Sequence, residues 1–309
     1  MAALTQKKTC SQLMDEWKEF MWNPRTREFM GRTASSWALI LTFYVVFYAF
    51  LTAVFVLSMW VMLQTIDEYN PKYADRLANP GLMIRPKLDT LEIVYSINAQ
   101  NASWQKYVNG LNTVLQDYNT TVQELRGTNC TSGVYNKQDD TGDVRNYPKK
   151  ACQFTREKLG DCSGLGLNPT YGYESGKPCV LIKMNRVINF FPEIIPSLSN
   201  TSITIKCTGK KIKLSVNETN DEYDRLLGER LYFPSTKGNL GSIDLMYFPY
   251  YGNRAQKNYT QPFVAVQFLN ATRDYDHNVE CRVNAANINN QDDRDKFQGR
   301  VIFRLRINS

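Results

Sequence analysis

The pattern of apolar and polar positions divides the chain before any other property is considered. From Trp37 to Leu63 the sequence WALILTFYVVFYAFLTAVFVLSMWVML runs 27 residues without a charge, more than the 18 or so that mark a membrane-spanning helix. At ~1.5 Å per residue such a helix is ~40 Å long and crosses a hydrocarbon core of ~30 Å with room for tilt. Trp37 and Trp60 are spaced to act as anchors at the two interfaces. On a helical wheel of ~100° per residue, Tyr44, Phe47, Tyr48, Leu51 and Phe55 share one side, while Thr42, Ala49 and Ala53 lie opposite. Alanines four apart permit close helix approach, and tyrosines inside a span need partners for their hydroxyls. The pattern predicts a helix packed against protein as well as lipid.

The flanking segments have weaker periods. In the tail, Leu13, Trp17, Phe20 and Met21 recur at helical spacing, and Asn23-Pro24 ends the run, because the residue before proline avoids the helical region. An amphipathic helix on the membrane surface or a partner, or a disordered tail, both fit. Residues 64–87, with Pro71, Pro80, Pro86 and the turn Asn79-Pro80-Gly81, show no clear period and read as an extended juxtamembrane stem. Ser103 is placed to cap a helix carrying Trp104, Tyr107, Val108, Leu111, Val114, Leu115 and Tyr118 on one face.

From about Cys130 the period becomes two. Ile203, Ile205 and Cys207 share a strand face, as do Val279, Cys281 and Val283, with Glu280 and Arg282 turned outward. Phe263 to Leu269 and the terminal Val301, Phe303, Leu305 and Ile307 give further strands. Short strands with one added helix indicate an antiparallel β-sandwich, with Cys207 and Cys281 suited to a disulfide buried between two sheets. The expected division is a tail at 1–36, a span at 37–63, a stem at 64–87 and an ectodomain at 88–309.

Charge, cysteines and sequons orient this layout. The tail carries Lys7, Lys8, Lys18, Arg25, Arg27 and Arg32, whereas the twenty residues after Leu63 carry only Lys72 and Arg76. This bias predicts a cytosolic N-terminus and an extracellular C-terminal part, a single-span type II arrangement with an uncleaved signal-anchor. Six of the seven cysteines, Cys130, Cys152, Cys162, Cys179, Cys207 and Cys281, follow the span, and Cys10 precedes it. Six allow fifteen connectivities; two local pairs plus Cys207–Cys281 are the simplest, and the strand-face argument supports only the last. The sequons at Asn101, Asn119, Asn129, Asn200, Asn217, Asn258 and Asn270 all lie beyond the span, and Pro169 excludes Asn168.

Candidate chemistry changes the picture little. His277 is the sole histidine and sits in a polar turn, so an exposed turn residue is expected. No metal site or cofactor is expected from one histidine and paired cysteines. Gly164-Leu165-Gly166 and Gly209-Lys210-Lys211 lack the context of phosphate loops. Asp139-Asp140 and Asp292-Asp293 superficially suit a type II glycosyltransferase, but that enzyme class needs an α/β nucleotide domain, so solvated loops are expected. Of the net charge of +7, most is spread over the ectodomain. Lys149-Lys150 and Lys210-Lys211 with Lys213 are too short for a nucleic-acid footprint. The alternatives are a pump subunit, an adhesion glycoprotein and, remotely, the glycosyltransferase.

Several long blocks carry a resemblance: WNPRTREFMGRT, FYVVFY, VMLQTIDEYNPKYADRL, PGLMIRP, CSGLG, YGYESGKPCVLIKMNRVINF, LMYFPYYG, YTQPFVAVQFLN, VECRVNAANI and GRVIFRLRIN. Across nearly the whole chain they resemble the β subunits of the sodium/potassium- and proton/potassium-transporting P-type ATPases. The sodium-pump type is nearer than the gastric type, although the opening MAAL and KKTCSQ look gastric. The resemblance implies a non-catalytic glycoprotein at the plasma membrane with an immunoglobulin-like ectodomain. It implies the disulfides Cys130–Cys152, Cys162–Cys179 and Cys207–Cys281. It also implies a role in folding, export and potassium affinity of a catalytic α subunit. Tyr44, Phe47 and Tyr48 match residues that pack on that partner's seventh membrane helix. Gln64, Tyr69 and Tyr73 match a segment near its outer loop, and Tyr247, Phe248, Pro249, Tyr250, Tyr251 and Gly252 match an ectodomain motif near it. Membrane lipid and a small single-span regulatory subunit are further expected partners; nucleic acid is not. Two positions depart from the family: Asp161 replaces an asparagine that makes a sequon, and Asn253 stands where lysine is common.

Overall fold

A computed structural model describes residues 10–71, 79–87, 90–98, 103–142, 144–166, 168–210, 220–236, 238–291, 295 and 297–309. It separates into two units, Met1–Asp67 and Glu68–Ser309.

The first unit is built around one long helix. Helix α1 (Cys10–Met21) has no buried residue, and Leu13, Trp17 and Phe20 are exposed on it. The chain then forms a small antiparallel ribbon of β1 (Trp22–Asn23), β2 (Glu28–Phe29) and β3 (Arg32–Thr33). The Asn23 side chain accepts the Arg25 N–H at 3.0 Å, so Asn23-Pro24 starts a turn as well as stopping the helix. Helix α2 (Ala34–Gln64) follows, with 31 residues and none buried. It starts at Ala34-Ser35-Ser36, one polar turn ahead of the apolar run. The Trp37 indole donates to the Phe29 carbonyl at 2.8 Å, and the two rings lie 6.1 Å apart. Trp37 thereby ties the start of α2 to the ribbon. A helix apolar on every side, with no side chain buried by its own protein, suits a membrane and not a soluble core. It is the one helix among the described residues long and apolar enough to cross a membrane.

In chain order the second unit contains β4 (Leu82–Arg85), β5 (Glu92–Ser96), α3 (Gln105–Leu115), α4 (Thr120–Arg126) and β6 (Cys179–Met184). Then come β7 (Ser202–Gly209), α5 (Asn220–Leu227), β8 (Arg230–Phe233), β9 (Ser235–Thr236) and β10 (Leu240–Asp244). The chain finishes with β11 (Val264–Phe268), β12 (His277–Asn284) and β13 (Arg300–Asn308). One sheet has the order β5-β13-β12-β7-β10-β9 and another β4-β6-β11-β8. Within these two sheets the strand pairs are antiparallel except β5 with β13, which is parallel, so the unit is β-rich and its larger sheet is mixed. At Gly241 a Cβ would stand 2.3 Å from a Val264 methyl and 3.2 Å from the Tyr232 ring. Only glycine lets β10 approach β8 and β11 this closely.

Several expectations are corrected here. Strands begin at β4 and β5, before α3, so residues 82–85 belong to the ectodomain's smaller sheet and not to a stem. Leu82 and Ile84 are buried in it, as are Ile93 and Tyr95 on β5. Leu82–Arg85 is too short between its prolines for a period to be read. Ser103 does not cap α3; its hydroxyl takes the Ser96 N–H at 2.9 Å. The stripe on α3 does pack inward, with Tyr107, Leu111 and Leu115 buried. The Tyr107 hydroxyl accepts from the Val94 N–H at 3.0 Å and donates to its carbonyl at 2.9 Å, closing the free edge of β5.

The disulfides are Cys130–Cys152, Cys162–Cys179 and Cys207–Cys281, with Cα separations of 5.6, 5.7 and 3.9 Å. The last does not bridge two sheets. Cys207 on β7 and Cys281 on β12 are direct partners in neighbouring strands of one sheet. Alternation places both on an apolar face in either arrangement, so it cannot choose between them. Glu280 is likewise not outward and solvated: it is buried, enclosed by Lys210 at 3.2 Å, Arg282 at 2.8 Å and Arg300 at 3.5 Å.

Candidate subunit interface

On α2 the rings form a continuous strip. Tyr44 and Tyr48 stack with centroids 5.9 Å apart, as do Phe43 and Phe47 at 6.0 Å. Edge contacts of 5.5 Å join Phe43 to Tyr44 and Phe47 to Tyr48. The i, i+4 spacing produces this, since residues one turn apart lie over each other on a helix. All four rings are exposed. Phe43 extends the strip beyond the sequence-derived set; its signal was the same four-residue spacing, to Phe47. Neither tyrosine hydroxyl has a hydrogen-bond partner among the described residues. A phenol held in hydrocarbon without a partner costs several kcal/mol, on the order of 4–8 for transfer to an alkane. The strip is therefore chemically incomplete among the described residues. Thr42, Ala49 and Ala53 on the opposite side are also exposed.

Gln64 is the last residue of α2. In the second unit, the segment starting at Glu68 is fastened to the ectodomain. Glu68 pairs with Arg254, Asn70 accepts from Asn189 at 3.2 Å, and Tyr69 stacks on Tyr147 at 4.5 Å. The Arg145 guanidinium lies 4.9 Å from the Tyr69 ring centre. Tyr73 lies outside the described residues.

The run Tyr247–Gly252 is mostly internal. Tyr247, Phe248, Pro249, Tyr250 and Gly252 are buried, and Tyr251 is half-buried. Tyr247 packs edge-on against Phe154 at 5.6 Å, and its hydroxyl accepts from Lys158 at 2.8 Å. Tyr250 lies 4.7 Å from Tyr259. Gly252 has φ of +91° and sits against Ile188 and the Tyr69 carbonyl. An aromatic-rich hexapeptide reads equally as a docking motif or as core, and five of its six residues are buried within this unit.

Tyr251 connects this run to the segment at Tyr69. Its hydroxyl accepts the Gln138 N–H at 2.7 Å. The Lys149 ammonium lies 5.3 Å from both the Tyr251 and Tyr147 rings, donates to the Gln138 carbonyl at 2.6 Å and pairs with Asp140. Its hydrogen bond, followed by that from the Asn146 N–H, holds the Asp140 carboxyl below its ordinary value. Lys149 is thus buried and not part of a solvated cluster. Its burial follows from two rings, a carbonyl and a carboxylate converging from separate loops. Sequence reasoning missed Tyr147, Lys149 and Arg254 because their partners are distant in the chain.

His277 is also corrected. It is buried on β12, with Nε2 donating to the Thr272 carbonyl at 2.8 Å. Burial pushes the imidazole below its ordinary value, against the opposing pull of that hydrogen bond and of Asp276. Its ring also meets that of Tyr275 at 5.1 Å, and no group of three or more metal-ligating side chains occurs among the described residues.

The sequons Asn119, Asn129, Asn200, Asn258 and Asn270 are all exposed, accessible for modification. Asn101 and Asn217 lie outside the described residues.

Comparison with known proteins agrees with this geometry. The family model described as sodium / potassium ATPase beta chain matches residues 7–303. The sodium/potassium-transporting ATPase subunit beta-2 of Rhinella marina is 74% identical over 308 residues, covering 99% of both chains. Its counterpart in Mus musculus is 54% identical over 308 residues, covering 100% of this chain and 99% of its own. The one in Homo sapiens is 53% identical with the same coverage. An uncharged 31-residue helix, a disulfide-bonded β-rich unit and a match from end to end have one common reading: this chain belongs to the sodium/potassium ATPase beta-chain family.

Proposed function

We propose that this chain is a non-catalytic β subunit that assembles with the catalytic α subunit of a cation-pumping ATPase, supports its folding and export, and tunes its affinity for potassium. The observation that carries the reading is the exposed strip Phe43-Tyr44-Phe47-Tyr48, whose hydroxyls have no partner among the described residues and whose ring edges suit another membrane helix. Family membership supplies the identity of that partner.

In this reading α2 spans the plasma membrane with residues 1–36 cytosolic, and the disulfide-bonded unit is extracellular and glycosylated. Its two sheets form an immunoglobulin-like sandwich. Supporting this, the Tyr232 hydroxyl on the smaller sheet accepts from the Cys207 N–H on the larger one at 2.9 Å. Tyr44, Phe47 and Tyr48 make the intramembrane contact. The cluster of Tyr69, Tyr147, Lys149 and Tyr251 sets the shape of the ectodomain surface nearest the partner, with the buried part of Tyr247–Gly252 as its support.

The test is co-purification from mild detergent. The wild-type chain should bring down a P-type ATPase, and Tyr44→Ala with Tyr48→Ala should reduce recovery several-fold. A detergent-stable chain that carries no such partner contradicts the proposal. Recovery equal to wild type in the double variant would remove the tyrosine strip from the interface.

A further inference from the structure

The smaller sheet carries a cavity with an unusual charge balance. About 510 Å³ in volume, it is lined by Arg85, Arg126, Lys183, Arg186 and Lys257 against a single carboxylate, Asp117, within the usual range for small-ligand sites. Asp117 is engaged by Arg126 at 3.0 Å, leaving four cations uncompensated by the lining. Arg85 and Lys183 have no ion-pair partner among the described residues. Lys183 makes a 3.3 Å contact to the Gln261 side-chain oxygen.

These charges are held together by the sheet itself. Lys183 on β6 lies directly opposite Met83 on β4. Arg85, two residues on, shares that face and is the diagonal neighbour of Lys183. Like charges held on one face of a sheet repel each other. Arg186 follows two residues after β6. Desolvation, then the charges of Arg85 and Arg186, lower the Lys183 ammonium to about 8. Tyr118, Tyr259 and Asp117 complete the titratable groups facing it. Arg186 also stacks over the Tyr250 ring at 5.4 Å, and no carboxylate other than Asp117 lines the cavity.

We propose that this cavity is an oxyanion site that takes a sulfate or phosphate group of a small ligand. Arg85, Lys183 and Arg186 supply the charge, and the phenol rings of Tyr118 and Tyr259 supply an apolar wall. Charge-assisted hydrogen bonds from guanidinium and ammonium groups are the strong contacts for such a group. The group can come from a sulfated saccharide, for which the volume and ring wall leave room, or from free inorganic anion. Exposed Asn258 of the sequon at 258–260 is part of the lining, so a glycan there would restrict access to small molecules. Anion binding stabilises the charged ammonium, so it draws in a proton when performed near pH 8.

The experiment is calorimetric titration of the full-length chain in its detergent-solubilised complex, with a sulfated disaccharide, the same disaccharide without sulfate, and inorganic sulfate. The sulfated sugar or inorganic sulfate should bind at least tenfold more tightly than the unsulfated sugar. Which of these two is tighter identifies the source. Lys183→Gln with Arg186→Gln should weaken binding at least tenfold, and moving from pH 7 to pH 9 should weaken it for the wild type. Arg186→Gln alone, in an exposed position after the strand, serves if the double variant fails to fold and should still lower affinity several-fold. Sulfate-independent binding, or affinity unchanged in a folded Arg186→Gln chain, overturns the proposal.

Discussion

At the scale of residues, several side chains are fixed by partners that sequence alone does not reveal. Tyr107 is one: its phenol pairs with both backbone groups of Val94 at the open edge of β5. Tyr107→Phe keeps the ring and leaves a donor and an acceptor unsatisfied. We expect a loss of about 1–3 kcal/mol, read as a lowered thermal unfolding temperature of the full chain with the disulfides intact. His277 gives a pH dependence of definite sign. Its folded-state value lies below the ordinary 6.5, so as pH falls through that range the unfolded chain takes up a proton that the buried imidazole resists. Stability from this group is present above about 6.5 and declines toward acid. The unfolding temperature should fall between pH 7 and pH 5, and His277→Gln should show a shallower fall. An unchanged slope in a folded variant would assign the dependence to other groups.

Among the elements, the disulfides differ in what they close. Cys207–Cys281 spans 74 residues, against 22 for Cys130–Cys152 and 17 for Cys162–Cys179. In the chain-entropy description these correspond to about 4.4, 3.4 and 3.1 kcal/mol. Replacing Cys207 and Cys281 together by alanine should therefore cost the most, measured as surface expression and resistance to proteolysis of each double variant. The same pair shows the limit of periodicity. The apolar alternation of Ile203, Ile205 and Cys207 and of Val279, Cys281 and Val283 was legible and holds. Which strands become neighbours depends on the path of the whole chain, and alternation carries no record of it. Helix α3 was legible because its stripe is long; β4 was not, because four residues between prolines give no period. The polar surroundings of His277 and the cationic character of Lys149 both suggested solvent, yet each is buried with hydrogen-bonding partners brought from elsewhere. The aromatic strip of α2 was readable because all its members lie on one element, whereas the cluster at Tyr69 was not, because it draws on four separate stretches.

For the whole molecule, the order of strands in the larger sheet sets a constraint on manufacture. The last strand, β13, lies between β5 and β12 and pairs parallel with one and antiparallel with the other. It is an interior strand, so β5 at residues 92–96 has its sheet partner only after residue 300 has been made. At a synthesis rate of roughly 5–20 residues per second, β5 waits about 10–40 s with an apolar face and an open edge. During that interval β5 presents an unmatched strand edge, joined by that of β12 only for the last ~1–3 s, and such edges promote aggregation. A chain halted just short of Arg300 would keep its membrane helix and all six disulfide cysteines, and would still be unable to join the two parts of this sheet. Completion of the larger sheet is thus coupled to arrival of the nine-residue strand β13.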